Sequence, residues 1–437
     1  MRSNRIVKNA SWIIACKIVQ ALLSIVVTML SARFLGPSGY GLINYAASIV
    51  AFAAPIMYLG LNSVIVQELV SNPEGEGKTL GSAIGMSFFA SFFCIGGVMA
   101  FVLIANKGET DTFIVCSLYS ILLISQSLEM IIYWFQAKLL SKYSSIVSLI
   151  AYIVISIYKI ILLATGQSVY LFAISNALDY LIIALLSFGF YRKLGGQKLS
   201  FSFSAFRKMF TSSKYYIIAN LMVTIYAQTD RIMIKLMIDD AATGYYSAAV
   251  TCAGMTGFVF TAIIDSFRPM IFDDKKSNQG SYEKNVIRLY NVVIYLSLVQ
   301  CAVITACSGI VIRILYGTDY MNSVDALRII VWYTTFSYLG AVRNIWLLAE
   351  GKQRFLLWIN LFGAISNIIL NYFLINNMGI NGAALASLIT QFATNVVVGF
   401  IFKPIRRNNK LMWNALNPKI TVDLFKCIKG QKNKSIG

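Results

Sequence analysis

Apolar positions in this chain form long unbroken stretches, separated by short clusters of Gly, Pro, Asn and charge. A run of about 18 or more apolar residues is long enough to cross a bilayer as a helix. Twelve such runs are predicted, over 10–34, 41–66, 81–105, 112–137, 143–165, 168–190, 215–238, 244–270, 290–310, 325–349, 354–375 and 380–402. Breakers such as Gly36-Pro37-Ser38-Gly39 and Asn376-Asn377-Met378-Gly379 join neighbouring runs. Strands of a membrane barrel alternate in polarity over about ten residues, and these runs do not. The expected fold is an all-α polytopic membrane protein of about twelve transmembrane helices.

Charge supplies the orientation. The chain holds 37 Lys and Arg against 18 Asp and Glu, while 58% of its residues are hydrophobic. In a soluble protein this excess would point to nucleic acid. Here the basic residues sit at alternate ends of the apolar runs. With twelve spans, 27 of the 37 fall on one side, and only Arg33, Lys107 and Arg313 fall in loops on the other. Basic loops stay in the cytoplasm, so both termini are expected there. Arg2, Arg5 and Lys8 precede the first run as in a secretory signal, but that run is too long, no A-x-A site closes it and a second span follows. A retained first helix is expected. The basic segment 403–437 is expected to fix topology and to touch anionic headgroups.

Several chemistries are excluded by what is missing. The chain has no histidine, which removes His-based nucleophile systems, His-ligated metals and imidazole proton shuttles. The seven cysteines have no paired spacing and read as small apolar packing residues. Gly77-Lys78-Thr79 imitates the end of a phosphate-binding loop, but the glycine such a loop needs five residues earlier is Asn72. It reads as a polar loop between the second and third spans. The outside loops are short, and the first, 33–41, carries no Asp or Glu. A membrane polymerase or glycosyltransferase would need outer-face carboxylates or a sizeable loop. No catalytic residue, metal or cofactor is expected.

The longest cytoplasmic connection divides the spans into two sets of six. The expected organisation is a six-helix bundle over 1–191, a basic linker over 192–214, a second bundle over 215–402 and a tail over 403–437. Gly39-Tyr40 opens the second span and Gly244-Tyr245 the eighth, with small residues after each. This echo fits bundles related by an axis along the membrane normal, with a substrate site between them near mid-membrane. Charged residues inside spans are costly and mark such sites. Arg231 and Lys235 share a helix face at i,i+4, and Arg343, Lys159 and Lys17 lack a local partner. These five are the candidate cationic path for an anionic group such as a diphosphate. Asp230, Asp179 and Glu129 are candidates for ion coupling. Three pairs have a local explanation by spacing: Asp265 with Arg268, Asp325 with Arg328, and Lys235 with Asp239.

Several segments resemble the Wzx polysaccharide flippases of the MOP exporter superfamily, which also contains MurJ and MATE proteins. The resemblance is carried by Ser31-Ala-Arg-Phe-Leu-Gly-Pro-Ser-Gly-Tyr-Gly-Leu-Ile-Asn-Tyr-Ala46, Tyr226-Ala-Gln-Thr-Asp-Arg-Ile-Met-Ile234, Leu315-Tyr-Gly-Thr-Asp-Tyr320 and Asn381-Gly-Ala-Ala-Leu-Ala-Ser387. It covers the whole chain. It implies a V-shaped pair of bundles around a cationic cavity, and movement of an undecaprenyl-diphosphate-linked oligosaccharide from the cytoplasmic to the periplasmic leaflet by alternating access, for O-antigen or another surface polysaccharide. It also implies possible partners in a polymerase and a chain-length regulator. Two other functions are weighed against it. A MATE-like cation or drug antiporter would prefer an acidic lumen, and a membrane polymerase or glycosyltransferase would need the missing carboxylates.

Overall fold

The computed structural model describes residues 2–277 and 281–420, with side chains described from Cys16 onward. Among these residues every regular element is a helix. In chain order they are α1 (Arg2–Met57), α2 (Ile65–Ser71), α3 (Glu76–Ala105), α4 (Thr110–Ser120), α5 (Leu122–Glu129), α6 (Ile132–Ala137), α7 (Ser141–Ala164), α8 (Val169–Lys193), α9 (Phe203–Met237), α10 (Asp240–Gly254), α11 (Gly257–Lys276), α12 (Ser281–Leu315), α13 (Ser323–Ala349), α14 (Arg354–Phe392), α15 (Val398–Ile401) and α16 (Arg406–Asn414).

The apolar runs become membrane-crossing helices. Seven stretches are long and apolar enough to cross, and the bent pair α10–α11 makes an eighth. Two of the seven are too long for one passage. The stretch Cys16–Met57 has 42 residues and Arg354–Ile401 has 48, or about 60–70 Å at 1.5 Å per residue, twice the hydrocarbon thickness. Each is broken once. Gly36 adopts φ 65° and ψ 175° ahead of Pro37. Proline forces its predecessor out of the helical region, and only glycine takes the positive φ without strain. Gly379 breaks α14 at φ 58° and ψ −136°, with no proline after it. Each thus provides two crossings. The remaining long helices, α9 and α13, carry the intramembrane charges Asp230, Arg231, Lys235 and Arg343 and are correspondingly less apolar. About twelve crossings result, in a multi-pass membrane protein.

The chain forms two compact units, Met1–Gly244 and Tyr245–Gly437. In the first, α9 packs on α1 and α3. The segment before it, 194–202, is pinned to α3: the Ser82 hydroxyl accepts from the Ser202 N–H (2.8 Å) and donates to its carbonyl (3.0 Å). The Gly36–Gly41 turn lies so close to the start of α10 that a Cβ on Gly41 would fall on the Asp240 carbonyl oxygen, and one on Gly244 on that of Pro37. The two glycine motifs that echo each other in sequence therefore lie backbone to backbone. Gly77-Lys78-Thr79 lies in the first turn of α3 rather than in a loop. Six cysteines, Cys16 to Cys307, are free thiols, and all but the partly covered Cys307 are buried. Cys427 lies outside the described residues.

In the second unit α13 packs between α12 and α14 around Trp346, Tyr290 and Leu289. A π turn at Ala393–Val397 precedes α15. α16 closes the unit: Asn409 donates to the Val396 carbonyl (2.6 Å), Asn408 accepts from the Tyr290 hydroxyl (2.9 Å), and Arg407 pairs with Glu283 (2.7 Å). The ion pairs expected at i,i+3 are present, Arg268 with Asp265 at 3.0 Å and Arg328 with Asp325 at 2.9 Å.

Candidate functional site

The charged end of α9 is a structural knot. Lys235 is buried at 8% exposure, and its ammonium lies 2.7 Å from Glu109 and 2.8 Å from Asp240. The expected partner Asp239 does something else: it accepts the Ala242 N–H at 2.7 Å at the start of α10. Backbone amides at a helix start need such an acceptor, so the capping carboxylate is occupied and Lys235 turns to other carboxylates. Glu109, between α3 and α4, also accepts from Thr112 (2.6 Å) and Asn106 (3.3 Å), and Asn106 accepts from the Tyr45 hydroxyl (2.6 Å). Burial pulls the Glu109 carboxyl up, but hydrogen bonds from Lys235 and Thr112 outweigh it and hold the group below its usual range.

One turn earlier, Arg231 donates to the Gln228 side-chain oxygen at 2.9 Å, and the same oxygen accepts from Ser48 of α1 at 3.1 Å. Arg231 thus marks the seam between α1 and α9. Asp230 beside it is buried. Arg343 lies in the second unit, where it donates to the Thr394 carbonyl in the π turn (2.8 Å) and to Asn344 (3.0 Å). Lys17 is exposed on the first half of α1. Lys235, Arg231 and Arg343 thus each have partners of their own.

A different constellation forms within the first unit. Lys159 of α7 reaches the Asn176 side-chain oxygen on α8 at 3.4 Å and lies within electrostatic reach of Asp179. Asp179 in turn faces Glu129 at the end of α5. The structure thus brings Lys159, Asp179 and Glu129 together across three helices. Asn176 also lies near Tyr119, which opens onto a cavity of about 490 Å³.

That cavity is built from one face of α1. Ala47, Ala51 and Ala54 are small residues at helical spacing and hollow out its wall. Around them stand Tyr58, Tyr119, Tyr180, Asn62, Gln126 and Asn220. Tyr180 stands beside Gln126 in this lining, and Tyr58 lies within electrostatic reach of Glu129. Phenol rings and amides are the groups that stack on and hydrogen-bond to sugars. The sequence reading tracked charge and missed these residues. Neutral amides inside apolar spans, read together with the alanine spacing on α1, would have found them. No group of three or more metal-ligating side chains forms among the described residues.

Comparison with known proteins is consistent with this architecture. The chain is 21% identical over 400 residues to a Shigella flexneri protein named as an O-antigen transporter, covering 87% of this chain and 94% of that one. It is 21% identical over 412 residues to the Staphylococcus aureus capsular polysaccharide biosynthesis protein CapF, covering 91% and 100%. Its fold matches that of the lipid II flippase MurJ in an inward closed conformation, at TM-score 0.74, 16% identity and coverage of 95% and 92%. It also matches an inward-facing MATE multidrug transporter of the MOP superfamily, at TM-score 0.67, 13% identity and coverage of 90% and 95%. The sequence profile of the polysaccharide biosynthesis proteins matches residues 6–275. The chain belongs to the polysaccharide biosynthesis protein family.

Proposed function

We propose that this protein is a flippase for lipid-linked oligosaccharides, carrying an undecaprenyl-diphosphate-linked repeat unit from the cytoplasmic to the periplasmic leaflet of a bacterial inner membrane. The observation that carries the reading is the cavity lined by Tyr58, Tyr119, Tyr180 and amides, with Lys159 beyond it, in a chain of this family. The saccharide enters the cavity, the diphosphate meets the cations Arg231 and Lys159, and the lipid tail stays in hydrocarbon. Alternating access comes from two six-helix bundles moving about the connection at 192–214, with both termini in the cytoplasm. Lys17 and Arg343 serve as outlying cations of the anion path, and Lys235 holds its end in place. A polymerase and a chain-length regulator would take over the product.

The membrane potential can drive this step. Moving negative charge outward from a negative interior gains about 2.3 kcal/mol per charge per 100 mV, so two charges gain about 4–5 kcal/mol. The proximity of Glu129 and Asp179 favours a second reading, in which these carboxylates and Asp230 couple transport to an inward proton or sodium ion. Flux that survives collapse of the ion gradient but stops with the potential eliminates the second reading.

The deciding experiment is deletion of the gene with analysis of lipid-linked saccharide in each leaflet. Accumulation of complete single units on the cytoplasmic side, relieved by the wild-type gene, is expected. Single units reaching the outer leaflet but staying unpolymerised would instead identify a polymerase.

A further inference from the structure

The opposite face of the same stretch of α1 borders a second space. A groove of about 670 Å³ runs between α1, α3 and α9. Its walls are Ile49, Phe52 and Ile56 on α1, Phe93 and Phe101 on α3 and Ile232 on α9. Phe93 is 84% exposed, so the groove opens on the side that faces lipid. Only two lining side chains carry polar atoms, and both turn them away. The Thr229 hydroxyl donates to the Ile225 carbonyl at 2.6 Å, and the Cys94 thiol to that of Ala53 at 3.6 Å. The lining is therefore hydrocarbon throughout.

Gly97 of α3 lines the groove. Gly41 and Gly244 are glycines because a neighbouring backbone leaves no room for a Cβ; at Gly97 a Cβ would meet nothing within 4 Å. Gly97 also needs no positive φ. Neither packing nor backbone geometry accounts for it, and glycine weakens a helix by about 1 kcal/mol relative to alanine. What its missing side chain provides is space.

A cation stands beside this apolar slot on α9, outside its lining. Thr229 and Ile232 line it, and between them in sequence comes Arg231, held at the α1–α9 seam by the Gln228–Ser48 bridge. Arg231 lies six residues inside the end of α9, about 9 Å from it at 1.5 Å per residue. Beyond the seam is the polar cavity. Hydrocarbon slot, intramembrane cation and sugar-type cavity follow one another in the order of tail, diphosphate and saccharide.

We propose that the groove seats the isoprenoid tail of the lipid-linked saccharide, so that substrate straddles the α1–α9 wall with its tail on one face and its sugars on the other. This deepens the flippase reading and rests on it for the identity of the tail.

The test uses the full chain in lipid nanodiscs with two photoreactive probes: a polyprenyl diphosphate with a diazirine on its tail, and phosphatidylglycerol with a diazirine on an acyl chain. The polyprenyl probe should label groove residues such as Phe93, Phe101 or Ile232, and unlabelled polyprenyl diphosphate should displace it. Gly97→Leu should cut that labelling about tenfold by filling the slot with four carbons, while Gly309→Leu, at another glycine with open space, should leave it unchanged. Thermal unfolding of each variant confirms that it folds. Equal labelling by both probes without displacement, or full labelling of folded Gly97→Leu, overturns the proposal. Rescue of the deletion strain separates it from the flippase reading. If wild type rescues and Gly97→Leu rescues equally with labelling unchanged, the groove proposal fails alone. If wild type does not move saccharide but displaceable labelling remains, the flippase reading fails and the groove stands as an isoprenoid site.

Discussion

The two faces of α1 between residues 47 and 58 are built from one apolar run, yet they border unlike spaces. One presents Ala47, Ala51 and Ala54 to phenols and amides. The other presents Ile49, Phe52 and Ile56 to an apolar groove. Mean hydropathy cannot separate them, because alanine and isoleucine both count as apolar. Side-chain volume does: small residues at helical spacing make a wall that polar groups from other helices can line, and large ones make a wall that lipid can line. In a membrane helix of this kind the information about function is carried by size as much as by polarity.

The change with the largest expected effect removes both faces together. Lys235→Ala leaves Glu109 and Asp240 without their shared cation at the end of α9, the helix that borders both spaces. Removing one partner of a buried pair costs about 3–5 kcal/mol, and the partial exposure of Glu109 and Asp240 lowers this to about 2–3 kcal/mol. A lower unfolding temperature, with loss of both transport and tail labelling, is expected; retention of either would show that the faces are supported separately. Next comes Ala51→Phe, which fills the cavity from the alanine side. Export of saccharide, measured by rescue, should fall at least about tenfold, since overpacking a formed space costs about 1–3 kcal/mol, while tail labelling persists. Loss of labelling as well would collapse the comparison into a single site.

Tyr180→Phe is gentler. It removes a hydroxyl from the cavity wall and keeps the ring, so export should fall by about 2–10-fold, matching one hydrogen bond to the saccharide of about 0.5–1.5 kcal/mol. No change would assign the phenol to packing. The smallest effect is on acid sensitivity. The Glu109 carboxyl is held below its usual range in the folded protein, so its contribution to stability is complete above the unfolded value of about 4.3 and is lost as pH falls through the lower folded value. Glu109→Gln should lack that part of the acid-side loss in thermal unfolding. An unchanged acid profile would show that Lys235 draws its support from Asp240 alone.

Much of the fold was legible because the bilayer imposes it. Length and apolarity located the crossings, and Gly36-Pro37 and Gly379 broke the two overlong helices where the turn signals stood. Local charge pairs were equally legible, since Asp265–Arg268 and Asp325–Arg328 follow from spacing alone. Lys235 was read toward Asp239 by the same rule, and there a helix start claimed the nearby carboxylate and a residue 126 positions earlier supplied another. Arg343 satisfies itself on a carbonyl of a π turn, which no charge pattern announces. The cavity escaped notice because its polar residues are neutral and come from four separate helices and the turn after α1, so that only folding brings them into register.

The knot at Lys235 also bears on how the protein enters its membrane. By composition α9 is not among the helices apolar enough to cross unaided, and it carries Asp230, Arg231 and Lys235, each charge costing up to about 2.5–3.5 kcal/mol during insertion. Glu109 is synthesised well before α9 and Asp240 directly after it. When Lys235 leaves the ribosome, its first counter-ion has already been made and its second follows five residues later. Insertion of the seventh span is thereby tied to the earlier helices, and biogenesis proceeds in order, with the wall between the two spaces going in only after what it leans on.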